Sequence, residues 1–172
     1  MNSRISLSLA VLFMAAVLPA HAKVCDAKAY GAKADGTTKD TQAIQAAIDD
    51  CAGAGGGTVK LAGGTFLSAP IVLKSKVTLE IAKAATLKGS PDHGDYPAKT
   101  EFRAEGTQSL VSATNAENIA ITGGGTIDGN GESWWAEARA THNAGVVGAV
   151  KFRPRLVVFD HCRHVRMEGV TV

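Results

Sequence analysis

Residues 110–123 read LVSATNAENIAITG, and residues 156–169, LVVFDHCRHVRMEG, align with them without a gap at an offset of 46 residues. Apolar residues coincide within the two copies, Ile119 matching Val165, and a glycine ends both. A repeat of short apolar runs separated by polar corners is typical of a solenoid, in which each turn stacks on the previous one and extends a shared core.

A third, weaker copy is KVTLEI (76–81), in which Val77 and Leu79 match Ile119 and Ile121 at an offset of 42 residues. Apolar and polar residues alternate in short runs throughout the chain beyond residue 57, where we expect only strands and turns. The predicted fold is all-β, a right-handed parallel β-helix. A β-sandwich is the alternative, but it would require hairpin turns between paired runs rather than one run repeated at a long offset.

One helix is expected near the amino terminus, in the segment DTQAIQAAIDDCA (40–52). Four residues lie at the i, i+3, i+4, i+7 spacing of an amphipathic helix: Ile44, Ala47, Ile48 and Cys51. Asp40 is placed to cap its first turn, and a run of glycines follows it. We expect this short helix to close the open end of the solenoid core as a cap.

Residues 1–22, MNSRISLSLAVLFMAAVLPAHA, have the pattern of a secretory signal peptide, with Arg4 before an apolar run and small residues at the end. The apolar run is shorter than the roughly 20 residues that a membrane-spanning helix needs. We expect cleavage between Ala22 and Lys23, a secreted or periplasmic mature chain, and no membrane partner after cleavage.

Export permits disulfide bonds, and three cysteines follow the predicted cleavage point. Cys25 and Cys51 are the favoured pair, because a bridge between them could hold the entering strand to the first helix. Cys162 lies in an alternating apolar run and is expected to be a buried free thiol. Neither the scattered cysteines nor the histidines show metal-ligand spacing, so no metal site and no cofactor are expected.

The glycine-rich stretch GGGTIDGNGESWW (123–135) is not expected to hold a phosphate, because no Lys-Ser or Lys-Thr follows the glycines. Asp128 within it is interpreted as a turn residue that bonds nearby backbone N–H groups. The chain has 18 Lys and Arg against 16 Asp and Glu, a net charge of +2. This balance by itself decides nothing about a polyanionic partner, and we expect no nucleic-acid partner.

Four stretches together resemble a known family. They are AYGAKADGTTKDTQAIQAAIDDCAGAGGGTVKLAGGTF (29–66), IVLKSKVTLEIAKAATLKGSPDHGDYP (71–97), GGGTIDGNGESWW (123–135) and FRPRLVVFDHCRHVRMEGVTV (152–172). In this order they are similar to the polygalacturonases of glycoside hydrolase family 28, over residues 25–172. The resemblance implies a parallel β-helix that hydrolyses α-1,4 bonds between galacturonic acid units of pectin, with inversion, two carboxyl groups and no metal.

The catalytic motifs that the resemblance would supply are missing from this sequence: Asn-Thr-Asp, a following Asp-Asp, Gly-His-Gly and Arg-x-Lys. Asp49-Asp50 and Asp92-His93-Gly94 come too early in the chain to serve. We expect no catalytic residue in this chain, and interpret residues 23–172 as the amino-terminal part of the domain, truncated before its catalytic coils and inactive alone. The full-length protein is expected to be a monomer.

Candidate binding residues lie in the long excursion 129–155 between the two repeat copies. Trp134 and Trp135 could stack on sugar rings, and Arg153 could attract a polyanionic pectin chain. The alternatives are that the tryptophans pack the loop onto the body and that the arginine belongs to a solvated face. The expected partner is pectin, or polygalacturonan.

Two other functions stay open at this point. One is a catalytically silent β-solenoid that binds polysaccharide or has a structural role. The other is a pectate lyase, which shares the β-helix but eliminates rather than hydrolyses, usually with calcium held by clustered carboxylates. Endo or exo action, and galacturonan or rhamnogalacturonan as substrate, are not distinguished by this sequence.

Overall fold

The computed structural model describes residues 22–100, 105–143 and 153–172. Except for Ala22, the predicted signal peptide lies outside the described residues. Within those ranges, no helix has both the length and the apolar character needed to cross a membrane.

The described residues form twelve strands and two α-helices. The strands are β1 (Lys23–Asp26), β2 (Asp35–Lys39), β3 (Gly57–Leu61), β4 (Gly64–Ser68), β5 (Ile71–Val72), β6 (Val77–Ile81), β7 (Ala85–Gly89), β8 (Val111–Thr114), β9 (Glu117–Gly123), β10 (Thr126–Asp128), β11 (Val157–Asp160) and β12 (Arg163–Met167). The helices are α1 (Thr41–Gly53) and α2 (Glu132–Asn143).

The strands form three sheets, and every strand pair is parallel. Sheet A has the order β1-β3-β6-β9-β12, sheet B the order β10-β7-β4-β2, and sheet C the order β11-β8-β5. The chain visits A, then B, then C, and returns to A one strand further along. This is the parallel β-helix that the repeat predicts, and each circuit is one coil.

The observed register confirms both offsets read from the sequence. Val165 pairs with Ile119 in sheet A, and Val157 pairs with Val111 in sheet C. Leu79 pairs with Ile121, the offset of the weaker copy. Inward-facing apolar residues of successive coils therefore stack in columns. In the coils between the two ends of the solenoid, these residues are almost completely buried. Full burial of one such side chain contributes roughly 1.5–3 kcal/mol to stability.

Helix α1 closes the amino-terminal end of the core, as predicted, with all four residues of its apolar stripe buried. A disulfide joins Cys25 on β1 to Cys51 on α1, the pair favoured from the sequence. Gln45 accepts a hydrogen bond from the Val72 backbone N–H (2.9 Å) and donates one to the Val72 carbonyl (3.1 Å). Its side chain thus replaces the strand that β5 lacks on its outer edge.

Two expectations about local structure are wrong. Asp40 stands at the start of α1 but makes no side-chain bond to the helix; its carboxylate instead accepts the backbone N–H groups of Lys33 (2.6 Å) and Ala34 (2.9 Å). The chain beyond residue 57 is not only strands and turns, because α2 is a helix. Trp134 alone is buried among the side chains of α2 whose burial the structure describes, so no apolar periodicity marked this helix.

The corner that leads into sheet A has a left-handed backbone in four successive coils. Gly56, Lys76, Asn118 and His164 occupy equivalent positions with φ of 124°, 63°, 55° and 51°. This conformation costs residues with a Cβ roughly 1–2 kcal/mol, and asparagine tolerates it better than lysine.

We predict that Lys76→Asn raises the free energy of unfolding by about 0.5–1 kcal/mol, because asparagine relieves strain at this corner. Lys60→Asn is the matched control, since Lys60 lies within β3, where asparagine is disfavoured and no gain is expected. Urea denaturation of the two variants measures the difference. Equal effects at both positions would show that the corner conformation does not matter.

Candidate functional site

Two long connections run from sheet B to sheet C on one side of the solenoid. The first joins β7 to β8, and the second joins β10 to β11 and contains α2. Because β10 pairs with β7 and β11 pairs with β8, the two connections leave and re-enter the body one coil apart. They are therefore neighbours.

Trp134 fastens the second connection to the first. Its side chain is only 6% exposed. The ring stacks on His93 with centroids 3.6 Å apart and planes at 10°, and meets Tyr96 edge-on at 5.6 Å and 86°. With its ring packed in this way, Trp134 holds α2 against the turn at His93–Asp95.

Trp135 and Arg153, the other two residues singled out from the sequence, line one surface pocket of about 510 Å³. Trp135 is 53% exposed, and the Arg153 side chain is also exposed. We call this site the Trp135 pocket; its other lining residues include Tyr96, Leu110, Arg155 and Leu156. Its described lining contains two arginines and no carboxylate.

Residues 24–139 match the family described as rhamnogalacturonase A/epimerase, pectate lyase-like. The chain belongs to this family. It is 39% identical over 129 residues to an exo-poly-α-D-galacturonosidase of Dickeya chrysanthemi, covering 68% of this chain and 21% of that protein. It is 31% identical over 157 residues to an endo-polygalacturonase of Pectobacterium carotovorum subsp. carotovorum, covering 81% and 38%.

Among solved structures, the family 28 exopolygalacturonase of Yersinia enterocolitica superposes with a TM-score of 0.74 at 26% identity, over 87% of this chain and 34% of that one. These matches confirm the resemblance to polygalacturonases and the right-handed parallel β-helix. The chain spans less than two fifths of the length of the Dickeya, Pectobacterium and Yersinia proteins.

In this pectate lyase-like chain, the first connection forms one wall of the Trp135 pocket. Two interactions tie this wall to the body of the solenoid. The Tyr96 hydroxyl donates to the Ser90 carbonyl (3.1 Å), and Lys39 on β2 forms a salt bridge with Asp95 (2.7 Å). Burial opposes ionisation of Asp95, but hydrogen bonds from Lys39 and Ser90 outweigh it and lower its pKa. The hydrogen bond to Asp95 also raises the pKa of Lys39.

Sequence reasoning missed Tyr96 and Leu110 as lining residues of the pocket. Neither belongs to the excursion 129–155, and only the stacking of coils brings them beside it. The repeat offsets contained a usable signal, because they place the connection after β7 directly beside the one after β10.

Burial raises the pKa of Tyr96 to about 12, with a further contribution from the Asp95 charge. An unfolded tyrosine ionises near its ordinary value of about 10, so the unfolded state loses its proton first. The stability from neutral, buried Tyr96 is complete below about pH 10 and is lost as the pH rises towards 12.

We therefore predict that the free energy of unfolding falls by about 1–2 kcal/mol between pH 10 and 12 because of Tyr96, and that Tyr96→Phe removes this part of the decline. Denaturant titrations of both proteins across that range measure it. Tyr96→Phe also loses the bond to Ser90, so its stability at neutral pH should be slightly lower. Parallel pH profiles for the two proteins would refute the assignment.

The sequence analysis named Asp49, Asp50 and Asp128, and in this family member each of the three has a partner within the protein. Asp49 pairs with Lys74 (2.8 Å) and Asp50 with Lys23 (2.6 Å), both from helix α1. Asp128 accepts the Asn130 backbone N–H (2.8 Å), as expected of a turn residue. The described residues hold no His, Cys, Asp or Glu group suited to a metal ion.

Cys162 is a free cysteine and only half-buried, so the structure places it less deeply than the sequence suggested. Its thiol lies 3.4 Å from the Asp160 carbonyl and 3.5 Å from the Ala113 carbonyl.

Proposed function

We propose that this chain supplies the amino-terminal coils of a secreted pectin-degrading glycoside hydrolase that cleaves α-1,4-galacturonosidic bonds. The observation that carries the proposal is the Trp135 pocket, in which an exposed indole and arginines lie together on a β-helix similar to polygalacturonases. A polygalacturonate chain presents sugar-ring faces and carboxylates, the groups that such a surface attracts.

The proposed reaction is inverting hydrolysis, in which one carboxylic acid protonates the leaving oxygen and a carboxylate activates water. The two groups must lie roughly 6.5–9.5 Å apart to admit that water. No carboxylate is among the described residues of the pocket lining, and Asp49 and Asp50 are held in ion pairs. We propose that the catalytic pair belongs to another part of the enzyme and that this chain is a substrate-binding portion. The proposal is supported by the chain's coverage of only 21% and 38% of the Dickeya and Pectobacterium relatives.

Export through a signal peptide cleaved between Ala22 and Lys23 is part of the same proposal. It is supported by the charge and apolar pattern of residues 1–22, and a Cys25–Cys51 disulfide suits an oxidising compartment. Expression in a bacterium followed by amino-terminal sequencing of the exported product tests it. A product that keeps Met1, or stays in the cytoplasm, contradicts it.

Two assays of the purified chain test the functional proposal. In affinity electrophoresis, migration should be retarded in gels that contain polygalacturonate and unchanged in gels that contain neutral galactan. In solution, polygalacturonate should yield neither new reducing ends nor unsaturated uronides. Unretarded migration would contradict the role in pectin binding, and released reducing ends would show that the chain has catalytic carboxylates of its own.

A further inference from the structure

We propose that the Trp135 pocket is a subsite for a single uronate unit, in which Arg153 binds the sugar carboxylate and Trp135 covers one face of the ring. This inference rests on the proposed function and deepens it. It assigns recognition of acidic sugars to two residues that lie apart from any candidate catalytic group of the described chain.

The charge of the pocket favours an anion. Arg153 and Arg155 both line it, and none of its described lining residues is acidic. Arg155 already takes part in an interaction within the protein, whereas no salt bridge connects Arg153 to another residue in the ranges 22–100, 105–143 and 153–172. A guanidinium can bind both oxygens of a carboxylate at once, which a neutral sugar cannot offer.

The apolar part of the pocket favours a ligand that has a sugar ring next to its carboxylate. The Trp135 indole stands half in solvent, and the partly buried Leu156 adds apolar surface to the same pocket. The volume of about 510 Å³ falls within the range of roughly 300–1,000 Å³ typical of small-molecule sites. A small anion would leave this surface uncovered, and a sugar ring would cover it.

The two tryptophans have different roles in this arrangement. Trp134 is packed against His93 and Tyr96 and fixes α2 in place. Trp135, the next residue on α2, is thereby held with its ring over the pocket. Gly131 lies under that ring, because a Cβ added there would stand 3.1 Å from the Trp135 indole nitrogen. Gly131→Ala should therefore displace the indole without removing either binding side chain.

Tryptophan fluorescence gives a direct measurement, since the chain has only two tryptophans and both line the pocket. The probe is digalacturonate, and its dimethyl ester is the uncharged control of similar shape. Variants Arg153→Gln, Arg153→Lys and Gly131→Ala test the pocket. Arg163→Gln is the matched control, because it removes an exposed arginine from β12, outside the pocket lining.

We expect saturable binding of digalacturonate, weakened about five- to tenfold by Arg153→Gln and less by Arg153→Lys. Gly131→Ala should weaken the acid and the ester alike, because it disturbs ring contact rather than charge. The ester should bind the parent protein as weakly as the acid binds Arg153→Gln. Arg163→Gln should behave like the parent protein.

Three results would overturn the inference: no saturable binding of digalacturonate, equal binding of acid and ester, or unchanged binding by Arg153→Gln. Affinity electrophoresis separates this failure from failure of the proposed function. If polygalacturonate still retards Arg153→Gln as strongly as the parent protein, the pectin-binding role stands and the subsite lies elsewhere. If polygalacturonate does not retard the parent protein, both proposals fail.

Discussion

Replacing Gly123 by alanine is expected to lower the free energy of unfolding by about 3 kcal/mol or more. Gly123 ends β9 at the corner between sheets A and B, with φ of 119°. An alanine Cβ there would lie 2.0 Å from the Ile81 carbonyl oxygen of the preceding coil. That oxygen accepts the N–H groups of Gly124 (3.1 Å) and Gly125 (3.0 Å), so relieving the clash would break the corner.

Gly124→Ala is a control that differs by one position along the chain. A Cβ on Gly124 would meet only the Lys83 side chain and backbone, at 3.5 Å or more, an ordinary contact. We expect it to change the free energy of unfolding by less than about 1 kcal/mol. Chemical denaturation of both variants measures the comparison. Similar losses at the two positions would mean that corner geometry is not what requires the glycine.

The same corner explains why so much of the fold could be predicted from the sequence. A β-helix repeats its coil, so the same type of residue is required at equivalent positions of successive coils. Gly123 and Gly169 end the two aligned copies, and a Cβ on Gly169 would lie 2.2 Å from the Gly123 carbonyl oxygen. Alternating apolar residues, such as Ile119 and Val165, recur because they stack in one core column. Because these patterns recur at a fixed offset, they predict the fold although each one is weak by itself.

Features that occur only once were harder to predict. Helix α2 lies in a connection that does not repeat. Trp134 alone is buried among those of its side chains whose burial is described, so periodicity could not reveal the helix. The Trp135 pocket joins residues from two connections, and only the register of the coils brings Tyr96 near Trp135. The sequence pointed to Trp134, Trp135 and Arg153 together, whereas the contacts with His93 and Tyr96 separate a packing tryptophan from an exposed one.

Asp40 is a further single feature, and its replacement by alanine is expected to cost about 3 kcal/mol of unfolding free energy. Its carboxylate is 2% exposed and accepts two backbone N–H groups, from Lys33 and Ala34. Alanine would leave the buried Ala34 N–H and the partly buried Lys33 N–H without this acceptor. An unpaired buried donor costs about 1–3 kcal/mol, and a partly buried one costs less. Because Asp40 also begins α1, the loss should loosen the cap that covers the amino-terminal end of the core.

Asp35→Ala is the informative comparison, since Asp35 also accepts two backbone N–H groups, from Thr37 and Thr38, but at the exposed start of β2. Water can replace that carboxylate, so its removal should destabilise the protein clearly less. Asp40→Asn should fall between the parent protein and Asp40→Ala, because the amide retains only one accepting oxygen. If both alanine variants melt alike in urea, burial is not what makes Asp40 important, and the cap depends instead on the apolar stripe of α1.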